Sequence, residues 1–169
     1  MLTGKELQNI WLISVTDGKK IGEIKDLYLD RGATQVAAVF LGREGMINRK
    51  SLVVDRASIQ LFGIDAWLVS GSDTVTPMDD KAISKEFLFM DDLRGREVET
   101  DGGSKIGAIG DVILDQHAQV LGFTLGKNYI KGALAEKKGI VRAAFVDLGD
   151  KERPVILDLP KAEASNLAD

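Results

Sequence analysis

The sequence predicts an all-β chain built from two tandem small antiparallel β-barrels, and three observations lead there. The chain repeats itself, its apolar runs are short, and turn residues separate those runs at close intervals in the same order in both halves. Residues 20–30 (KIGEIKDLYLD) match residues 105–115 (KIGAIGDVILD) at an offset of 85, with 7 of 11 positions identical and two more apolar in both. Self-similarity of that density marks a repeated structural unit. The match continues after a one-residue slip, Gln35-Val36 against Gln119-Val120 and Leu41-Gly42 against Leu125-Gly126, as a turn one residue shorter in the second copy requires.

Each element follows from that pattern. In the first copy, runs rich in Val, Ile, Leu and aromatic residues predict strands near 10–15, 20–30, 35–41, 51–54, 58–61 and 66–70. In the second copy they fall near 96–99, 104–114, 120–125, 139–144, 145–148 and 155–159. Short strands at regular spacing are the signature of a small barrel or meander. A Thr-Asp-Gly turn follows the first strand of each copy, at 16–18 and 100–102. Alternation fails along 21–30, where Ile21, Leu27 and Leu29 share one parity and Ile24 and Tyr28 the other, so a bulge or bend is expected near Lys25.

The expected organisation is a first barrel at 1–73, a linker at 74–87, a second barrel at 88–160 and a fraying tail at 161–169. The linker contains Pro77 and paired acids without a strand period and admits a short helix. A second helical turn is expected in the insertion at 128–138, where Tyr129, Ala133, Leu134 and Ala135 provide its packing face, and a third near the C-terminus.

Composition narrows the function. A chain of 169 residues with 44% hydrophobic content can bury a core. A net charge of -4 argues against coating DNA or an anionic membrane through the overall field. The absence of cysteine excludes disulfides, thiolate catalysis and cysteine-ligated metals. The longest apolar run, 36–41, is far short of the roughly 20 residues that span a bilayer, and a cytoplasmic location is expected. His117, the single histidine, falls in a hairpin turn, where neither a catalytic relay nor a zinc site is expected.

A glycine turn before Ile-x-Asp-x-x-Leu-Asp, a following strand that ends in Leu-Gly, and the stretch 59–66 (IQLFGIDA) together resemble the PRC-barrel family. The likeness covers 2–71 and about 89–159, although Asp147-Leu148-Gly149-Asp150 stands where the second copy would carry the Gly-x-Asp-Ala signal. The resemblance implies a six-stranded barrel and binding of other proteins rather than catalysis. Proteins with such domains include the reaction-centre H subunit in its cytoplasmic part, the ribosome-maturation factor in its C-terminal domain, and small bacterial and archaeal proteins.

Six residues recur as a structural motif: Gly22, Asp26 and Asp30 in the first copy, Gly107, Asp111 and Asp115 in the second. The aspartates are expected to tie down backbone N–H groups at the bend and turns, and the glycines to give a turn its conformational freedom. Trp11 and Trp67 are expected to fill the core. Charge is unevenly placed. Residues 43–56 carry Arg43, Arg49, Lys50 and Arg56 for a net +2, and residues 127–142 carry Lys127, Lys131, Lys137, Lys138 and Arg142 for a net +4, leaving -10 elsewhere. These nine cations are the candidate partner-binding residues. No catalytic, cofactor-binding or metal residue is expected. The expected function is a protein-binding adaptor, with a protein partner and a second copy of the chain as candidate associates. The alternatives are an accessory role in ribosome or RNA processing and a peripheral place in a membrane complex.

Overall fold

The protein is described by a computed structural model over residues 1–167. In the first half, β1 (Leu2–Thr3) and α1 (Gly4–Leu7) precede β2 (Trp11–Ser14), β3 (Lys20–Glu23), β4 (Asp26–Asp30), β5 (Val36–Glu44), β6 (Lys50–Asp55), β7 (Ile59–Phe62) and β8 (Ala66–Val69). Then come β9 (Thr76–Asp79), α2 (Asp80–Glu86), β10 (Phe87–Phe89) and α3 (Met90–Leu93). The second half continues with β11 (Glu97–Thr100), β12 (Lys105–Leu114), β13 (Val120–Asn128), β14 (Ile140–Val141), β15 (Phe145–Asp147), β16 (Val155–Leu157) and α4 (Leu159–Ala164).

The two halves share one strand order. In the second half it is β14-β13-β12-β11-β16-β15. In the first half β6-β5-β4 and β3-β2-β8-β7 give the same series, cut into two sheets between β3 and β4. That cut is the bend expected near Lys25. Its cause is visible in the second half, where Gly110 occupies the equivalent place. A Cβ on Gly110 would lie 2.7 Å from the Gly126 nitrogen, so glycine lets β12 continue as one strand there, with only a shift of its register to β13 between Ile109 and Val112. Lys25 carries a Cβ, and the strand breaks there even though its N–H still donates to the Phe40 carbonyl at 2.8 Å.

The barrels are not antiparallel throughout, as the sequence reading had them. β8 runs parallel to β2, and β16 parallel to β11. An alternating six-strand series would close with antiparallel ends. Here a 3-10 turn after β6 (Arg56–Ser58) and another after β14 (Arg142–Ala144) carry the chain from one curled sheet edge to the next strand without a hairpin reversal. That step inverts the sense of the last two strands.

The stretch 74–87 is not a free linker. β9 pairs with β6, with Lys50 opposite Asp79 and Val53 opposite Thr76. Asp79 then caps α2 by accepting from the Lys81 and Ala82 N–H groups. Ile83 of α2 is buried with Tyr28, Ala38, Phe40 and Val53 in a small core of its own. Nor does the tail fray where it is described. Asp158 caps α4, and Ala162 is buried. Lys137 donates to the Ser165 carbonyl and to Asn166 Oδ1. Leu134 is buried within a 3-10 turn (Ala133–Glu136), while Tyr129 is half exposed. Positions 168 and 169 of the expected tail lie outside the described residues.

The halves exchange their leading strands. β1 pairs with β12 of the other half, Leu2 opposite Leu114 and Thr3 opposite Ile113. β10 pairs with β4, Leu88 opposite Leu29 and Phe89 opposite Tyr28. The two registers are equivalent under the repeat, so the chain has the pairing of a strand-exchanged dimer fused into one polypeptide. One apolar cluster accordingly runs through both halves, taking in Leu7, Leu12, Leu27, Val54 and Trp67 with Val98, Ile109, Val112, Phe123 and Leu157. Trp67 fills that core as expected. Trp11 stays partly exposed, with the Lys20 ammonium 4.1 Å from its ring centroid.

Candidate interaction surfaces

The repeated aspartates meet at the pseudo-twofold seam between the halves. Asp26 begins β4 and Asp111 lies within β12, and both side chains are buried. Arg94, just after α3, lies between them. Its Nη1 is 2.7 Å from Asp26 Oδ2, and its Nη2 is 3.1 Å from Asp111 Oδ1. Asp111 Oδ2 also accepts from the Lys5 N–H at 2.7 Å, which ties α1 to the opposite half. Asp26 Oδ1 accepts from the Leu27 N–H. Burial pulls the Arg94 guanidinium down, but the hydrogen bonds and charges of Asp26 and Asp111 outweigh it and hold the group above its ordinary value. The recurring aspartates therefore bind backbone, as expected, and in addition bind a cation the sequence did not single out.

Asp30 and Asp115 order the two hairpin turns. Asp30 Oδ1 accepts from the Thr34 and Gln35 N–H groups at 2.6 and 2.8 Å. Asp115 Oδ1 accepts from those of His117 and Gln119 at 2.8 and 2.9 Å. Burial pushes the Asp30 carboxyl up, yet these N–H groups and the Thr34 hydroxyl hold it below its usual value. Each turn places an alanine in the left-handed region, Ala33 at φ 47° and Ala118 at φ 56°. The two turns abut across the seam. Val36 N–H donates to the Ala118 carbonyl at 2.9 Å, and Val120 N–H to the Thr34 carbonyl at 2.8 Å.

Two of the nine candidate cations are consumed at this seam. Arg56 reaches across to the second half and donates to the carbonyls of His117 and Ala118 at 2.6 and 3.3 Å, and to that of Val36 at 3.1 Å. Arg142 does the reciprocal, donating from Nε to the carbonyls of Gly32 and Ala33 at 2.9 and 3.1 Å. Burial lowers both guanidinium groups, opposed at Arg56 by Asp115 and Asp30 and at Arg142 by Asp30. Expected as partner-binding residues, both instead hold the two halves together. Buried carbonyls at tight turns need donors, and a guanidinium supplies several at once.

The glycine expectation also changes. Gly22 lies in β3 and Gly107 in β12, not in a turn, and neither has a positive φ. Gly107 is required by close approach, because a Cβ there would strike the Lys127 carbonyl. Gly22 meets nothing nearer than Leu41 at 3.5 Å.

The remaining cations divide into two groups. Arg43 at the end of β5, Arg49 in the connection and Lys50 at the start of β6 are exposed, and Arg43 pairs with Asp80 at 3.2 Å. Lys127, Lys131 and Lys138 are exposed around the connection between β13 and β14. Lys137 is turned onto the C-terminal segment. The bridge between Gln35 and Gln119 is antiparallel, so β5 and β13 leave the seam in opposite senses, each running nine residues to its basic connection. The cations therefore form two separate ends and not one face. A cleft of about 530 Å³ lies beside the first end, floored by Tyr28, Phe87 and Phe89 and rimmed by Arg43, Asp80, Asp150 and Lys151. Its mixed rim charge selects no single sign of ligand. Among the described residues no three acidic or histidine side chains gather to hold a metal, and no helix is long and apolar enough to cross a membrane.

Residues 85–164 match the PRC-barrel domain family. This segment of the chain is a PRC-barrel domain. It begins just before the exchanged strand β10 and ends with α4, so the family unit includes the strand that this chain lends to its first half. No curated protein matches the chain.

Proposed function

We propose that the chain is a non-enzymatic adaptor of two PRC-barrel modules, its first half being a second copy of the domain, and that it holds an acidic protein surface at its lysine-rich end. The shared strand order and reciprocal strand exchange support the two-module reading. The observation that carries the binding reading is the exposure of Lys127, Lys131 and Lys138 with Tyr129 among them, on a chain that is acidic elsewhere. Tyrosine supplies contact area at low entropic cost, and the lysines select and steer an acidic partner. The compartment proposed is the cytoplasm.

The tagged chain, crosslinked mildly in native extract, is expected to retain a nuclease-resistant partner. The variant Lys127→Glu/Lys131→Glu/Lys138→Glu is expected to lose that partner with an unchanged Tm, because these side chains are exposed. Full retention by the variant would sink the proposal. The same tyrosine among lysines also suits a stacked base, which favours RNA as the second reading. A partner signal that vanishes with nuclease selects that reading.

A further inference from the structure

We infer that the tip of the hairpin joining β5 to β6 docks on an anionic lipid bilayer. The inference rests on the adaptor reading in one respect, since it names what the second end of that adaptor holds. Met46 and Ile47 are 97% and 94% exposed, the most exposed large apolar side chains among the described residues. They project from a short, defined turn. Glu44 pairs with Lys50 at its base, and Gly45 takes φ +88°. A Cβ on Gly45 would lie 2.7 Å from the Asn48 carbonyl oxygen, so the turn needs glycine to close. Local geometry therefore presents two apolar side chains to solvent in place of folding them under.

Three cations flank this tip, Arg43, Arg49 and Lys50, with Glu44 in the hairpin itself and two acids on the neighbouring segment, Asp80 paired with Arg43 at 3.2 Å and Asp79 opposite Lys50. The hairpin at 43–50 is net +2 on a chain whose remainder is net -6. An anionic surface attracts this hairpin, as it does the lysine-rich end, but only here do the cations flank two almost fully exposed aliphatic side chains, Met46 and Ile47. The shape favours a bilayer over a protein. Two side chains on a convex tip offer far less than the roughly 800 Å² that each partner gives to a stable protein interface. A lipid interface accepts a narrow apolar wedge, and adjacent cations add about a fivefold gain in affinity each. Binding of this kind is reversible and weakens with salt. The lysine-rich end leaves the seam in the opposite sense and stays available to a protein.

The chain has no cysteine, so Ile47→Cys accepts a single environment-sensitive fluorophore. The full chain is mixed at low ionic strength with phosphatidylcholine vesicles containing about one-third phosphatidylserine, and separately with pure phosphatidylcholine vesicles. The label at Ile47→Cys is expected to shift to the blue and become shielded from an aqueous quencher on the anionic vesicles alone. A label at Val15→Cys, half exposed just after β2, is expected to stay in water. Sedimentation of unlabelled protein should show binding lowered about tenfold or more by Met46→Ser/Ile47→Ser and about twenty-five-fold by Arg49→Gln/Lys50→Gln. No binding to anionic vesicles, or binding with the Ile47→Cys label still in water, would overturn the inference. So would shielding of that label by a captured protein without vesicles. Loss of vesicle binding while the lysine-rich end still captures its partner removes this inference and leaves the adaptor reading standing.

Discussion

Replacing Arg94 with methionine is expected to lower stability by roughly 3–5 kcal/mol, the usual consequence of leaving buried charge without its partner. Two carboxylates, those of Asp26 and Asp111, depend on that one guanidinium, and its side chain is 16% exposed. Methionine matches much of the arginine volume, so the loss reports electrostatics more than a cavity. The decisive control is Arg94→Met combined with Asp26→Asn and Asp111→Asn, which removes the unpaired charges and should recover most of the loss. Urea unfolding of the three proteins measures this. Equal destabilisation of the single and triple variants would show that the arginine acts through packing.

The paired variant Arg56→Ala/Arg142→Ala is expected to cost about 3–4 kcal/mol, taking charge-assisted hydrogen bonds at roughly 1.5–3 kcal/mol and allowing for partial exposure at both sites. Each guanidinium satisfies carbonyls in the turn of the opposite half. Removing both therefore weakens the seam from both directions while leaving each half's strands intact. The expected signature is a broadened thermal transition with a reduced m-value, because the halves begin to unfold separately. A sharp transition at the unaltered midpoint would mean that the seam is held by the apolar cluster and the exchanged strands without help from the arginines.

Much of this architecture was legible in the sequence because it is local or repeated. The offset of 85 fixed the equivalence of β4 with β12, broken alternation marked the bend at Lys25, and Asp30 and Asp115 fall where hairpin turns need acceptors. What was hidden is non-local. β1 and β10 are two and three residues long, too short for any period to show, and their partners lie more than 50 residues away. Thr-Pro-Met-Asp reads as part of a linker by composition, yet it forms β9 at a sheet edge, where proline is tolerated. Arg94 carries no local signal, since its acceptors are 68 and 17 residues distant. Arg56 and Arg142 looked like members of basic connections because charge counts do not reveal which cation faces a carbonyl. Met46 and Ile47 were absent from the sequence candidates for a related reason, as apolar residues beside strands read by default as core.

The interlocking of the halves determines whether the two basic ends are held apart as parts of one body, and equilibrium unfolding tests it most directly. Trp11 and Trp67 both lie in the first half, so tryptophan fluorescence reports on that half, while amide exchange along β12 and β13 reports on the second. Strand exchange, the shared apolar cluster and the Arg94 ion pairs predict a single transition with coincident midpoints by both probes. Two separate midpoints, with the second half unfolding while the tryptophan signal stays native or the reverse, would contradict it.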